Sequence, residues 1–154
     1  KSAVLRDILN IIKKYNVDQN RLVIEFTESG FIESDRFFVS FCNRLKENGI
    51  LLALDDFGTG YSNFHYLYNL KPDCIKVDRG LMKNALANQY ENMLLKHMID
   101  MAHSVGVKMC IEGIETQEEL DKILEMGCDY IQGYYFSKPL PFNEIEEYLK
   151  KKRK

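Results

Sequence analysis

Apolar residues recur along this chain with two alternating periods. Leu5, Ile8, Leu9, Ile11 and Ile12 fall at helical spacing and predict a helix from about Ala3 to Tyr15. A short β-rich run, Arg21 to Thr27, comes next. A helix is expected from Ser34 to Asn48, opening on a serine and stopping at Gly49. The pattern then gives a strand over Ile50–Asp55, a glycine-rich loop, a short helix over Ser62–Asn69 and a strand over Asp73–Asp78. A long helix over Glu91–Val105 ends at Gly106 and leads into a strand over Val107–Glu112. A helix over Gln117–Met126 ends at Gly127, followed by a strand over Cys128–Gln132 and a last helix after Pro141. Repeated β-then-α order implies parallel strands joined by right-handed crossovers. Five strands and about five major helices suit either an open doubly wound sheet or most of a (β/α) barrel.

The strand ends carry the chemistry. With side chains alternating at period 2, Val23, Glu25 and Thr27 share a face, as do Leu51, Ala53 and Asp55. The later strands give Cys74, Lys76 and Asp78, then Lys108, Cys110 and Glu112, then Cys128, Tyr130 and Gln132. Each strand therefore delivers a polar or charged residue at or near its C-terminal end. If these face one mouth, Glu25, Asp55, Asp56, Lys76, Glu112 and Gln132 converge where parallel α/β folds place their active sites.

Carboxylates in such an apolar setting need a partner charge or a metal. Glu25, Asp55, Asp56 and Glu112 carry four negative charges against the one of Lys76, and two divalent cations would balance them. All-oxygen donors favour Mg²⁺ or Mn²⁺ over zinc. Adjacent Asp55 and Asp56 suit a bridging arrangement, and two-metal sites are a common device for phosphodiester hydrolysis. Gly58-Thr59-Gly60 puts flexible backbone beside these carboxylates, as a phosphate cradle or a gating loop.

Composition narrows the setting. The chain has 154 residues, is 45% hydrophobic and carries a formal charge of −2, so one domain with its own core is expected and nothing points to a nucleic acid polymer or an anionic membrane. No apolar run approaches the roughly 18–20 residues of a membrane span, and the opening Lys1-Ser2-Ala3 does not read as a signal peptide. Cys42, Cys74, Cys110 and Cys128 form no CxxC pair and read as buried free thiols of a reducing, cytoplasmic protein. His65, His97 and His103 read as structural. The closing Lys150–Lys154 run reads as a solvated tail.

Five ordered blocks also carry a resemblance. Glu25-Phe-Thr-Glu28-Ser29, Asp55-Asp56-Phe-Gly-Thr-Gly-Tyr-Ser62, Ile75-Lys76-Val-Asp78, Glu112-Gly-Ile-Glu115-Thr116 and Gln132-Gly-Tyr-Tyr-Phe-Ser-Lys-Pro139-Leu-Pro141 resemble the signature blocks of EAL domains. The resemblance covers essentially the whole chain. It implies a TIM-like (β/α) barrel that hydrolyses cyclic di-GMP to linear pGpG with Mg²⁺ or Mn²⁺. By matching position, Glu25 is similar to a ligand of the first metal, Asp55 to the bridging ligand, and Asp56 and Glu112 to ligands of the second. Lys76 resembles the residue that orients or deprotonates the attacking water. Glu28 resembles the anchor of the Asp55–Ser62 loop, which in this family couples dimerisation to metal binding. Asp78, Glu115 and Gln132 resemble supporting residues.

The resemblance also places the namesake Glu-x-Leu strand, and the next strand with its Asn ligand, ahead of Ala3. Residues 1–154 then read as a partial EAL domain, the C-terminal portion of a barrel whose first strands are missing. Its first metal keeps Glu25 and Asp55. Unpaired strand edges favour partnering, so a homodimer is expected, in a parent carrying N-terminal sensory or diguanylate cyclase-like domains. That parent is expected in the cytoplasm, or on the cytoplasmic side of a membrane-anchored protein. The main alternative to the phosphodiesterase is a non-catalytic cyclic di-GMP-binding or regulatory module, and a further one is another divalent-metal α/β enzyme.

Overall fold

The computed structural model describes residues 2–27, 36–58 and 64–152. Helix α1 (Ser2–Tyr15) precedes a 3₁₀ turn at Gln19–Arg21 and strand β1 (Val23–Thr27). There follow α2 (Arg36–Glu47), β2 (Leu51–Phe57), α3 (Phe64–Leu70) and β3 (Cys74–Val77). Two consecutive helices, α4 (Arg79–Ala87) and α5 (Gln89–Ser104), lead to β4 (Lys108–Glu112). Helix α6 (Gln117–Glu125), β5 (Tyr130–Gln132) and α7 (Phe142–Lys152) complete the order.

The five strands form one parallel sheet in the order β1-β2-β3-β4-β5. That order decides between the two architectures the sequence allowed. A doubly wound sheet reverses direction at a switch point, whereas here every crossover steps the same way. Right-handed crossovers that keep one direction leave all their helices on one face. The result is an incomplete TIM-like barrel.

Strand alternation follows from this one-sided cover. Leu52, Leu54, Ile75, Val77, Met109 and Ile111 point outward under the helices and are at most 2% exposed. They join Leu45 of α2, Leu95 and Ile99 of α5 and Ile123 of α6 in one cluster, each such side chain contributing about 1.5–3 kcal/mol of burial. Phe26 and Phe38 meet edge to face at 5.0 Å and seat α2 on β1. The opposite, concave face carries Val23, Leu51 and Tyr130, which are exposed. It also carries the strand-end polar residues.

Most element ends fall within two residues of the sequence reading, and the informative differences are at β2, β5 and α4. Strand β2 runs on past Asp55 to Phe57, because a register shift against β3 between Leu54 and Phe57 absorbs an extra residue as a bulge. Strand β5 is confined to Tyr130–Gln132. Helix α4 was not expected: Asp78, read as a strand end, is its N-cap, accepting the Gly80 N–H at 2.6 Å. Asn88 then both ends α4 and caps α5. Ser34 and Ser62, expected to open helices, lie outside the described residues, as do Thr59 and Gly60 of the glycine-rich turn.

Candidate active site

Parallel register aligns the concave-face residues in rows. Thr27 faces Asp55, Lys76 faces Cys110 and Glu112 faces Gln132. Lys76, on the middle strand, stands at the centre. Its ammonium lies 2.9 Å from Glu25 Oε2, 3.1 Å from Asp55 Oδ1 and 2.7 Å from Glu112 Oε1. The Lys76 side chain is 9% exposed, those of Asp55 and Glu112 21% each, and that of Glu25 47%. Four residues from four strands thus meet at one mouth, as the strand-end pattern predicted.

Burial alone would favour the neutral amine of Lys76. The contacts with Glu112, then Glu25 and Asp55, outweigh it and hold the lysine protonated beyond its ordinary range. Three carboxylates around one ammonium still leave two uncompensated negative charges. The buried Glu112 Oε1 makes the ion pair without a well-directed hydrogen bond. Asp56 stands at the bulge with φ of 56°, its N–H donating to Asp55 Oδ1 at 3.0 Å.

The supporting residues divide. Gln132 lies across from Glu112. With Glu25, Lys76, Cys110 and Tyr130 it lines a concave groove of about 430 Å³. Asp78 is engaged as the α4 cap. Glu115 accepts a 2.7 Å hydrogen bond from Arg79 Nη2, a partner the sequence reading missed because 36 residues separate the two. Glu28 lies outside the described residues. A larger groove of about 630 Å³, lined by Leu67, Met101 and Val107 among others, opens at the N-terminal ends of β3 and β4, away from the carboxylates.

Among the described residues, no three His, Cys, Asp or Glu side chains are grouped to hold a metal ion; the Lys76 ammonium sits between the carboxylates instead. The donor set nevertheless suits a hard divalent cation, being all oxygen, net negative and supplied with an oxygen on Glu112 that lacks a directed hydrogen bond. The four cysteines are free. Burial pushes the thiols of Cys42 in α2 and Cys74 on the concave face up to about 11 and that of Cys110 to about 12, so Cys74 and Cys110 stay protonated beside the site.

The EAL domain family profile matches residues 1–139. The chain belongs to the EAL domain family. It is 33% identical over 150 residues to the cyclic di-GMP phosphodiesterase NbdA of Pseudomonas aeruginosa, covering 97% of this chain and 19% of that protein. It is also 33% identical over 147 residues to the cyclic di-GMP phosphodiesterase PdeL of Escherichia coli, covering 95% of this chain and 41% of the relative. A standalone EAL protein of Vibrio cholerae O395, solved in a c-di-GMP-bound form, superposes with a TM-score of 0.79 at 30% identity over 87% of this chain and 56% of that one. The chain thus spans about a fifth and about two fifths of the length of these two curated relatives. The blocks that resemble EAL signatures fall around Lys76: Asp55-Asp56 at the bulge, Lys76 on β3, Glu112 closing β4 and Gln132 closing β5.

Proposed function

We propose that this chain is the C-terminal portion of an EAL-type phosphodiesterase that hydrolyses cyclic di-GMP to linear pGpG. The observation that carries the reading is the convergence of Glu25, Asp55 and Glu112 on Lys76 at the mouth of a parallel barrel segment. The names of the relatives and the ligand of the Vibrio structure support the same substrate.

Mg²⁺ or Mn²⁺ bound here would neutralise phosphate charge and lower the pKa of a bound water. Glu25 and Asp55 would hold one ion and Asp56 and Glu112 the other. Lys76, at the centre of these carboxylates, is placed to orient or deprotonate the attacking water. Gln132, beside Glu112, offers an amide to the substrate. Asp78 and Glu115 act by support: one caps α4, the other is held by Arg79. Glu28 keeps its proposed role as anchor of the Asp55–Ser62 loop. A homodimer, a cytoplasmic setting and N-terminal sensory or cyclase-like domains in the parent complete the proposal. No helix among the described residues is long and apolar enough to cross a membrane.

The test is incubation of this chain, and of its intact parent, with cyclic di-GMP and Mn²⁺ or Mg²⁺, followed by chromatography of the nucleotides. Glu112→Gln and Asp55→Asn variants run alongside to exclude contaminating enzymes. We expect pGpG from the wild-type parent, weaker turnover from this chain, and a loss on the order of 10²-fold or more in either variant. A parent that makes no pGpG, or variants that match wild type, would overturn the reading. One alternative is a cyclic di-GMP-binding module without turnover. Calorimetric binding without pGpG formation would select it.

A further inference from the structure

Arg79 lies two residues past the end of β3 and opens α4, next to its N-cap Asp78. Its guanidinium reaches across to β4's far end, where Nη2 donates to Glu115 Oε2 at 2.7 Å. Between those two points its aliphatic stem lies flat over Gly113. A Cβ on Gly113 would stand 2.6 Å from Arg79 Cβ and 2.8 Å from its Cδ, with Cγ closer still. Gly113 also has φ of +77°, a backbone region that side-chain-bearing residues rarely adopt. Two independent features therefore require glycine here, and one of them is the seat for Arg79.

Gly113 immediately follows Glu112, whose carboxylate is 2.7 Å from the Lys76 ammonium. The turn after Glu112 is held from two other sides. The Ile114 N–H donates to the Gln132 carbonyl at 3.3 Å and its own carbonyl accepts from Tyr135 N–H at 3.0 Å. Glu119 accepts from the N–H groups of Glu115 and Thr116, at 2.8 and 3.2 Å, while the Thr116 hydroxyl accepts from Glu119 N–H, a capping box at the start of α6. Arg79 supplies the third hold, and among these three it is the one that comes from the start of α4, just beyond β3, the strand of Lys76.

We infer that Arg79 is a positioning residue: by covering Gly113 and gripping Glu115 it fixes the turn after β4, and so sets where the Glu112 carboxylate stands against Lys76. The Arg79 and Glu115 side chains are 45% and 36% exposed, so the ion pair alone is weak. Its effect comes from where it acts, on the one residue that links Glu112 to the rest of the turn. Lys76 and Arg79 lie three residues apart on one rigid strand-to-helix segment. Linking that segment to the turn through Arg79 ties the two ends of the Lys76–Glu112 contact to one frame.

The kinetic part of the test rests on the proposed phosphodiesterase reading, so a second readout is independent of turnover. Wild type, Arg79→Ala and Arg79→Lys are compared in the intact parent and in this chain. Amide hydrogen exchange is followed at residues 112–116, together with the global unfolding midpoint. Cyclic di-GMP kinetics are measured with Mn²⁺. Arg79→Ala should speed exchange in the 112–116 turn while β2 and β3 keep their protection. It should lower kcat about 10- to 100-fold, as loss of an outer partner of a site residue does, with KM changed less than kcat. Arg79→Lys, which keeps a cation for Glu115, should recover part of both effects. Unchanged exchange in the turn overturns the inference whether or not the wild type is active. Faster exchange with wild-type kcat limits Arg79 to a structural part and overturns it equally. If the wild type makes no pGpG, the functional reading fails by itself, and the exchange data decide the role of Arg79.

Discussion

Asp56 adopts φ of 56° one residue after Asp55, and the two are tied by a 3.0 Å hydrogen bond from the Asp56 N–H to Asp55 Oδ1. In a regular strand consecutive side chains leave opposite faces. The bulge between Leu54 and Phe57 breaks that alternation at the point where two carboxylates are needed together. Left-handed backbone costs an ordinary L-residue about 1–2 kcal/mol, and aspartate is among the residues that bear it best. Asp56→Gly should therefore be more stable than Asp56→Ala by about 1 kcal/mol, although glycine is the more flexible residue. Both should lose most turnover, because both remove the carboxylate. Thermal unfolding and pGpG formation measured on the same samples check this. Equal stability of the two variants would mean that the backbone at residue 56 is not strained.

Lys76 answers to three carboxylates, so its removal affects stability and metal response together. Lys76→Met leaves Glu25, Asp55 and Glu112 facing one another without a cation. We expect a loss of about 2 kcal/mol, below the ~3–5 kcal/mol of a fully buried broken pair because Glu25 remains half exposed. Mn²⁺ or Mg²⁺ at millimolar concentration should raise the unfolding midpoint of Lys76→Met more than that of wild type, since a cation replaces the missing charge. A variant with wild-type stability, or with no greater response to the metal, would show that the carboxylates do not depend on Lys76 for compensation.

Much of this site was legible because strand ends are legible. Glu25, Lys76 and Glu112 are charged residues set within or at the end of apolar strand-like runs, and parallel topology brings such positions together without further information. The barrel-like winding was not fixed by the pattern; it became visible from strand order. Asp78 was misleading for a physical reason, since an aspartate after Val77 suits a strand end and a helix cap equally. Its capping role hid α4, although Met82 and Ala85 lie at helical spacing behind it and are buried. The bulge at Asp56 left no local signal, because aspartate tolerates both backbone regions. The Arg79–Glu115 pair spans 36 residues of sequence, and no local period reports such a contact.

Close packing between the ends of β4 and β5 gives a controlled comparison of two glycines. A Cβ on Gly133 would fall against the Ile114 carbonyl oxygen and 2.5 Å from its nitrogen, and backbone cannot swing aside as a side chain can. Gly106 has φ of +76° but nothing within 4 Å of the same position. Gly106→Ala should then cost about 1 kcal/mol, the backbone strain alone. Gly133→Ala should cost about 2 kcal/mol or more and reduce turnover, because it displaces the turn that follows Glu112. Urea unfolding of both variants decides the order. A larger cost at Gly106 would place the strain in the backbone angle rather than in the approach of the two strand ends.

Far from the mouth, Asp129 joins β4 to β5 and gives the fold a defined acid sensitivity. Its carboxylate accepts from the Met109 N–H at 2.9 Å, from Lys108 Nζ at 2.6 Å and meets His103 Nε2 at 2.7 Å. Burial works against its ionisation, but the Lys108, Met109 and His103 contacts prevail and bring the carboxyl down to about 2. An unfolded aspartate titrates near about 4. The folded value is the lower one, so the stabilisation is complete above about pH 4 and is lost as pH falls toward 2. Asp129→Asn removes the charge but keeps the shape. The stability gap between wild type and this variant should hold steady from pH 7 to about pH 4.5, then shrink by about 1–2 kcal/mol down to pH 2, the exposed Lys108 keeping it at the low end. Chemical unfolding at several pH values measures the gap directly, and other carboxylates cancel in the difference. A gap that stays constant to pH 2 would mean that the Asp129 contacts act through shape and hydrogen bonding, with no contribution from its charge.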